Sequence, residues 1–570
     1  MKKLVLFILM CCYFAVYSQG ETSSNNLYPT NYFRKPLDIP ILLSGTFGEL
    51  RSNHFHAGLD IKTQQREGFY VYTAAEGYVS RIKVSLWGYG KAIYITHPNG
   101  YTTVYAHLKK FNKRIEEYVK NTQYSKENYE IEVFPSANEL PVSKNEVIAY
   151  TGSTGGFVGP HLHFEIRDSK TEKPINPLFF GIDVNDSKPP TINTLIGYSF
   201  GDSSHINQIG KPTQIPLKKL ANGDLLANKT VAYGKIGFGI NAYDQLDGAY
   251  NKNGLYSLEM FVNAEKVHEF KATTFSFYET RYINLLIDYE RYGNLNQRIQ
   301  KCFIEPLNKL SMYNNSIDNG YLTIKDSLNY NVEIIAKDYK GNQQKIIIPV
   351  IGKKDSILVK DKILKTPYPI KYNVFQKYAE NGVTVTFPAF TFYNDFYLDF
   401  KVADSIAHIH TPTLPLHKKF TIAFDVSKYT EKEQKHLYIA SINKKGKTSY
   451  QTTVKKDNTF YTSTKNLGNY TLLFDNKEPT INLHNFKNEQ WVTNFSTLRV
   501  KIFDNESGIK SFRGEIDGEW ILMEYNIKTN TLNYNLSDKS FSEAKHNLKV
   551  IVTDNVGNTS TLNATFYRKK

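Results

Sequence analysis

The sequence predicts a mainly β, multidomain chain in which β-sandwich accessory domains follow an N-terminal region of different character. Three observations carry this expectation. At 570 residues the chain exceeds what one hydrophobic core serves, and roughly 100 to 200 residues per domain gives about three to five domains. Short apolar–polar alternations broken by Gly, Asn and Asp run through a composition with 41 Tyr and 35 Phe, which favours strands over helical bundles. The third observation is an internal repeat: "PPTIN" at 189–193 recurs as "EPTIN" at 478–482. Behind the first lie "INAYDQLDG" (240–248) and "VEIIAKDYKGNQQKIIIPV" (332–350); behind the second, in the same order, lie "VKIFDNESG" (500–508) and "LKVIVTDNVGNTSTLNATF" (548–566).

The elements follow in chain order. Residues 1–18 combine Lys2-Lys3, an apolar stretch from Leu4 to Tyr17 and a cut expected ahead of Gln19, the layout of a secretory signal peptide. The apolar run is shorter than the roughly 20 residues a spanning helix needs. Cys11 and Cys12 sit inside it, with no small residue at the position before Cys11, which disfavours a lipoprotein. Only Cys302 remains in the mature chain, so no intrachain disulfide is expected. Residues 19–187 hold the chemistry discussed below. The repeat units, 188–352 and 477–570, resemble bacterial immunoglobulin-like β-sandwiches, and the first is expected to carry an insertion at 250–330. Residues 353–476 are β-patterned ("GVTVTFPAF", "KFTIAFDV") but of unknown type. The Asp-x-x-Gly-Asn ends of both repeats read as turns between strands; the low Asp count per loop speaks against calcium.

The net charge of +15 is spread in short clusters such as Lys353-Lys354 and Lys444-Lys445, without a basic tract or an Arg-rich aromatic stripe. It reads as a solvated surface, with attraction to an anionic envelope polymer second. Nucleic acid is not an expected partner of an exported chain.

Six of the 14 histidines fall between residues 54 and 163. Three fragments there stand out: "RSNHFHAGLDI", "TTVYAHLKKF" and "GPHLHFEI". Residues i and i+2 of a strand share a face, so His161 and His163 look at one point. The pair is either an accident of a polar strand face or half of a metal site. A hydrolytic zinc takes three protein ligands and leaves a place for water, and His56, Asp60 and His163 offer such an N, O, N set. Gly58 would let the backbone bend so that His56 and Asp60 converge. No Glu accompanies the metal as in His-Glu-x-x-His enzymes, so His161 and His107 are the candidates for base and for donor to a developing oxyanion. His54 and His97 have no partner at ligand spacing and are expected at the surface. His408 and His410 in "DSIAHIHTP" have no glycine-rich approach and no third histidine fragment, and read as a strand surface.

"HFHAGLDI", "YAHL" and "GSTGGFVGPHLHFEIRD" resemble the lysostaphin-type, β-lytic zinc endopeptidases over about residues 40–180. The resemblance implies an antiparallel β-sheet peptidase domain of the duplicated hybrid motif type, with a groove open at its ends. It implies one zinc per chain on His56, Asp60 and His163, and catalytic roles for His161 and His107. It also implies an exported, zinc-dependent metalloendopeptidase that cuts peptidoglycan stem peptides or cross-bridges with a metal-activated water, in the periplasm or cell envelope. No membrane span is expected after signal cleavage, and the β-modules would meet an envelope protein partner. Two other functions are carried as alternatives: a catalytically silent cell-wall binding protein that activates an amidase, and an envelope adhesion or scaffold protein. One departure from the family pattern is the charged, partly helical insertion at 112–140, expected to wall or cap the groove.

Overall fold

The computed structural model describes residues 27–156, 159–360, 364–540 and 543–569. The signal peptide expected at 1–18 lies outside the described residues. Among those residues no helix is long and apolar enough to cross a membrane.

The N-terminal domain is built on a mostly antiparallel sheet, nine-stranded among the described residues. Its principal elements are β1 (Leu43–Gly45), β2 (Leu59–Lys62), β3 (Gly77–Val84), β4 (Lys91–Thr96), β5 (Tyr101–Ala106), α1 (Lys113–Lys126), β6 (Ile131–Val133) and β7 (His161–Asp168). The strands run in the spatial order β1-β2-β7-β5-β4-β3-β6. Period-2 alternation fixes which side chains go where. From β2 and β7, Leu59, Ile61, Leu162, Phe164 and Ile166 enter the domain core. Their neighbours Asp60, His161, His163, Glu165 and Arg167 take the opposite face and are buried too. An all-polar strand face that is also buried is expensive unless its groups satisfy one another, and this one marks the functional centre.

The two repeats share one topology. In the first, β8 (Thr191–Ile206) pairs with β9 (Thr230–Tyr243), and β10 (Ser257–Val262) pairs with β12 (Asn329–Lys337), which pairs with β13 (Gln343–Gly352). β11 (Glu265–Lys271) extends that group as the hairpin partner of β10. In the second repeat, β14 (Thr480–Leu483) pairs with β15 (Thr497–Phe503), and β16 (Ile509–Ile516) with β17 (Lys545–Asp554) and β18 (Thr559–Tyr567) in line. There the two groups form separate sheets, four- and five-stranded among the described residues, around Leu498, Val500, Leu548 and Val550. In the first repeat a parallel pairing of β9 with β13, Thr230 opposite Val350, merges them into one sheet, twelve-stranded among the described residues. β10, the counterpart of β16, lies inside the stretch 250–330 expected to be inserted, and the link from Asp244 to β10 is itself longer than that from Asp504 to β16.

Between the repeats, residues 367–475 form two five-stranded sheets around Val385, Phe387, Phe420, Ile422 and Ile439. The second repeat folds back onto the N-terminal domain. Lys91, 5% exposed, meets Glu524 at 3.0 Å, and Lys528 Nζ donates to the Ser153 carbonyl at 2.6 Å.

Candidate metal centre and active site

Strand pairing assembles the first part of the site. β2 and β7 are antiparallel with Asp60 directly opposite His163, and directly opposed side chains on one face sit about 5 Å apart at Cβ. His163 Nδ1 lies 2.8 Å from Asp60 Oδ1. His56 precedes β2, and its Nε2 reaches both Asp60 Oδ1 and His163 Nδ1 at 3.0 Å. The three candidate ligands therefore present one nitrogen, one oxygen and one nitrogen toward a common point, and all three are buried. This donor set and its compactness fit zinc, which takes two imidazoles and a carboxylate and leaves one place open.

The other two histidines close the ring around that point. β5 lies on the far side of β7, with Ala106 opposite His163, and the chain leaves β5 at His107 in a left-handed conformation (φ 58°) that turns its side chain back to the site. The His107 and His161 rings are 4.7 Å apart, and His161 Nε2 is 3.7 Å from Asp60 Oδ1. Backbone acceptors set the tautomers. His56 Nδ1 donates to the Thr46 carbonyl at 2.8 Å, His107 Nδ1 to Thr154 at 2.9 Å and His161 Nδ1 to Gly159 at 3.0 Å. Each of these three rings thus keeps Nε2 as its basic nitrogen.

Residues 54–124 match Peptidase family M23. The chain carries a peptidase M23 domain. Residues 367–475 match a Zu5-like domain, which gives a type to the block that composition left open. The DD-carboxypeptidase/endopeptidase Mpg of Neisseria meningitidis is 33% identical over 163 residues, 28% of this chain and 29% of that protein. An uncharacterized metalloprotease of Haemophilus influenzae is 30% identical over 166 residues, 28% of each chain. The chain thus spans less than a third of the length of these curated relatives. Among solved structures, a zinc-containing peptidase from Vibrio cholerae is 25% identical, covering 25% of this chain and 38% of that one with a TM-score of 0.19.

Within the M23 domain a second layer of side chains, which sequence reasoning missed, holds the ligands. Glu165 Oε1 accepts from His163 Nε2 at 2.8 Å, and Glu165 Oε2 accepts from Arg167 Nε at 2.6 Å. Tyr89 donates its hydroxyl to the same carboxylate, and its ring lies 5.0 Å from that of His163. Such carboxylate–histidine contacts orient a ligating imidazole and raise its basicity. On the other side Arg51 Nη2 donates to Asp60 Oδ2 at 2.6 Å, leaving Oδ1 for the centre. Glu165 was legible in principle, because it stands two residues after His163 on the same strand face.

Electrostatics follow from these contacts. Burial opposes ionisation of Asp60, yet His56 and His163 hold it well below the usual carboxylate range. Burial likewise opposes a charge on His163, but its hydrogen bonds to Asp60 and Glu165 raise it to about 9. Burial, and then repulsion from His163 and His161, press His107 down to about 3; burial lowers His56 and His161. A metal held at this point would take the place of the proton between His163 Nδ1 and Asp60 Oδ1.

The remaining expectations divide. His54 is exposed. His97 is not at the surface: it is 3% exposed, because the Glu76 carbonyl and the Thr103 hydroxyl satisfy both its nitrogens at 2.7 and 2.8 Å. His408 lies on a half-buried strand face, 2.7 Å from Asn469 Oδ1. Gly58 acts by close approach rather than by bending, since a Cβ there would lie 2.2 Å from the Phe164 carbonyl of β7. Among the described residues that line the cleft at His161 none comes from the insertion at 112–140, whereas its Tyr129 lines a separate cavity beside Ser153 and Thr154. Its helix α1 faces the second repeat, through Lys120–Asp538 at 2.6 Å, a Tyr124–Trp520 ring contact at 5.2 Å and Glu127–Arg513 at 2.6 Å.

Proposed function

We infer that this chain is an exported zinc endopeptidase that hydrolyses peptide bonds of peptidoglycan, working in the periplasm or cell envelope. The observation that carries the reading is the convergence of His56, Asp60 and His163, with two further imidazoles of fixed tautomer beside them. When bound, zinc supplies a Lewis acid and activates water. The chain's own residues supply the rest. His161 and His107, basic at Nε2, are placed to accept a proton; the imidazolium so formed donates to the developing oxyanion and returns the proton to the leaving amine. A cleft of about 800 Å³ runs up to His161, lined by Glu49, Arg51, Lys62 and Pro160 together with Asn251 and Lys252 of the first repeat. An elongated peptide fits such a trough, and the net charge of +15 favours an anionic polymer.

The test is incubation of the zinc-loaded full chain with purified sacculi, followed by mass spectrometry of the released muropeptides. New free amines from stem peptides or cross-bridges are expected. Unchanged muropeptides with zinc bound would refute the enzyme and favour a binding protein that activates an amidase.

A further inference from the structure

The two repeats bring together a second kind of three-ligand cluster. At each, one residue just ahead of the repeat joins two within it from separate segments, Asp186 with Asp244 and Asp338 at the first and Asp475 with Asp504 and Asp554 at the second. The residues correspond one to one. Asp186 and Asp475 stand three before the X-Pro-Thr-Ile-Asn openings, Asp244 and Asp504 follow β9 and β15, and Asp338 and Asp554 open the Asp-x-x-Gly-Asn turns. Their supports correspond too. Asn342 Nδ2 donates to the Asp186 carbonyl (3.2 Å) and to Asp338 (2.7 Å), while Asn558 Nδ2 donates to the Asp475 carbonyl (3.0 Å) and to Asp554 (2.8 Å).

Turn chemistry accounts for the Asn contacts but not for what surrounds them. Asp244 is 4% exposed, and its Oδ1 has no hydrogen-bond partner. Asn253 exchanges both backbone hydrogen bonds with Asp244, is 3% exposed, and has neither amide atom partnered. Asp186, Asp244 and Asp338 line one cavity of about 30 Å³, room for a single small ion, together with Thr46, whose buried Oγ1 also lacks a partner. In the second repeat, buried Ser507 donates its N–H to Asp475 at 3.0 Å and leaves its Oγ without a partner. The nearby cations are engaged elsewhere, Lys188 beside Asp247, Lys340 with Asp183 and Lys477 with Glu506. In each triplet two carboxylates are buried and one, Asp186 or Asp504, is half-buried; with no cationic side chain on them they call for a cation from solution.

We propose that Asp186, Asp244 and Asp338 bind a Ca²⁺ ion, and that Asp475, Asp504 and Asp554 bind a second. All-oxygen donor sets of carboxylates suit a hard cation rather than zinc. The first ion bears on the M23 domain. Thr46, in the wall of its cavity, provides the carbonyl that receives His56 Nδ1, so the ion braces the segment carrying a candidate zinc ligand. The low Asp count of each turn concealed these sites, because each turn contributes only one of three ligands.

The test is calorimetric titration of the full chain, stripped of calcium and restored to one equivalent of zinc, with CaCl₂ and with MgCl₂. Two Ca²⁺ ions per chain are expected, with Kd values of about 10⁻⁵ to 10⁻³ M and weaker Mg²⁺. Asp244→Asn and Asp504→Asn, which keep an acceptor oxygen for the turns, should each remove one ion. Thermal unfolding of the wild type should move up with Ca²⁺, and that of the doubly substituted chain should not. Asp186→Asn makes the same test if Asp244→Asn does not fold. Zero stoichiometry, a stoichiometry unchanged by the first-repeat substitution, or a stability loss identical with and without Ca²⁺ would overturn the proposal.

Discussion

The centre at His56, Asp60 and His163 and the cluster at Asp186, Asp244 and Asp338 are both compact triplets of potential ligands, the first wholly buried and the second buried but for a half-buried Asp186, yet they are built in opposite ways. The first mixes nitrogen with oxygen, and a second layer holds it: Arg51, Thr46 and Glu165 each bond one ligand. The second is all carboxylate, is supported by backbone and amide groups, and leaves polar atoms without partners. The contrast separates the two donor sets: mixed donors with fixed tautomers and proton-accepting neighbours suit chemistry, whereas oxygen donors at the meeting of three segments suit a fastening.

The comparison breaks first if the mixed site is not a zinc site. Asp60→Ala or His163→Ala should lose bound zinc and drop peptide hydrolysis below detection, as read by metal content and muropeptide release. His161→Ala and His107→Ala should keep the metal and lose turnover by about 10²- to 10⁴-fold, the range of a general acid–base group. Glu165→Gln should weaken zinc by about 10- to 100-fold in chelator competition. It should also lower thermal stability, because Arg167 is left buried beside a neutral amide. Ca²⁺ at millimolar concentration should not restore hydrolysis to zinc-free protein, which sharpens the division of labour between the two donor sets.

The smallest effect concerns a histidine outside both sites. His268 of β11 is fully buried, neither ring nitrogen has a hydrogen-bond partner, and burial alone holds it down to about 3. A group depressed in the folded state stabilises above its unfolded value, near 6.5, and the contribution is lost as pH falls toward the folded value. Stability should therefore decline as pH falls from about 6.5 toward 3, and His268→Phe should flatten that slope in denaturant unfolding at several pH values.

Much of the centre was legible because strand periodicity is strict. His161 and His163 share a face wherever they fall in a strand, and three histidine-bearing fragments in one domain narrow the choice of partners. What periodicity cannot supply is register. That Asp60 faces His163, and that Gly58 packs against Phe164, follow from how β2 slides against β7. His97 was misjudged because its partners, the Glu76 carbonyl and Thr103, are set by tertiary packing and have no ligand-like spacing. The repeat was visible as text, but the parallel pairing of β9 with β13 that fuses its first copy into one sheet left no local mark. The charge pattern of 112–140 announced a helix, and only the fold showed that α1 turns toward Asp538 and Trp520.

The central claim is that three side chains from two distant stretches hold one zinc. X-ray absorption at the zinc edge of the loaded full chain, compared with Asp60→Ala, tests it most directly. The account predicts about one zinc per chain with two imidazole nitrogens and one carboxylate oxygen at about 2.0 to 2.2 Å, and loss of that signal in the variant. A first shell without imidazole, or one unchanged by removing Asp60, would contradict it.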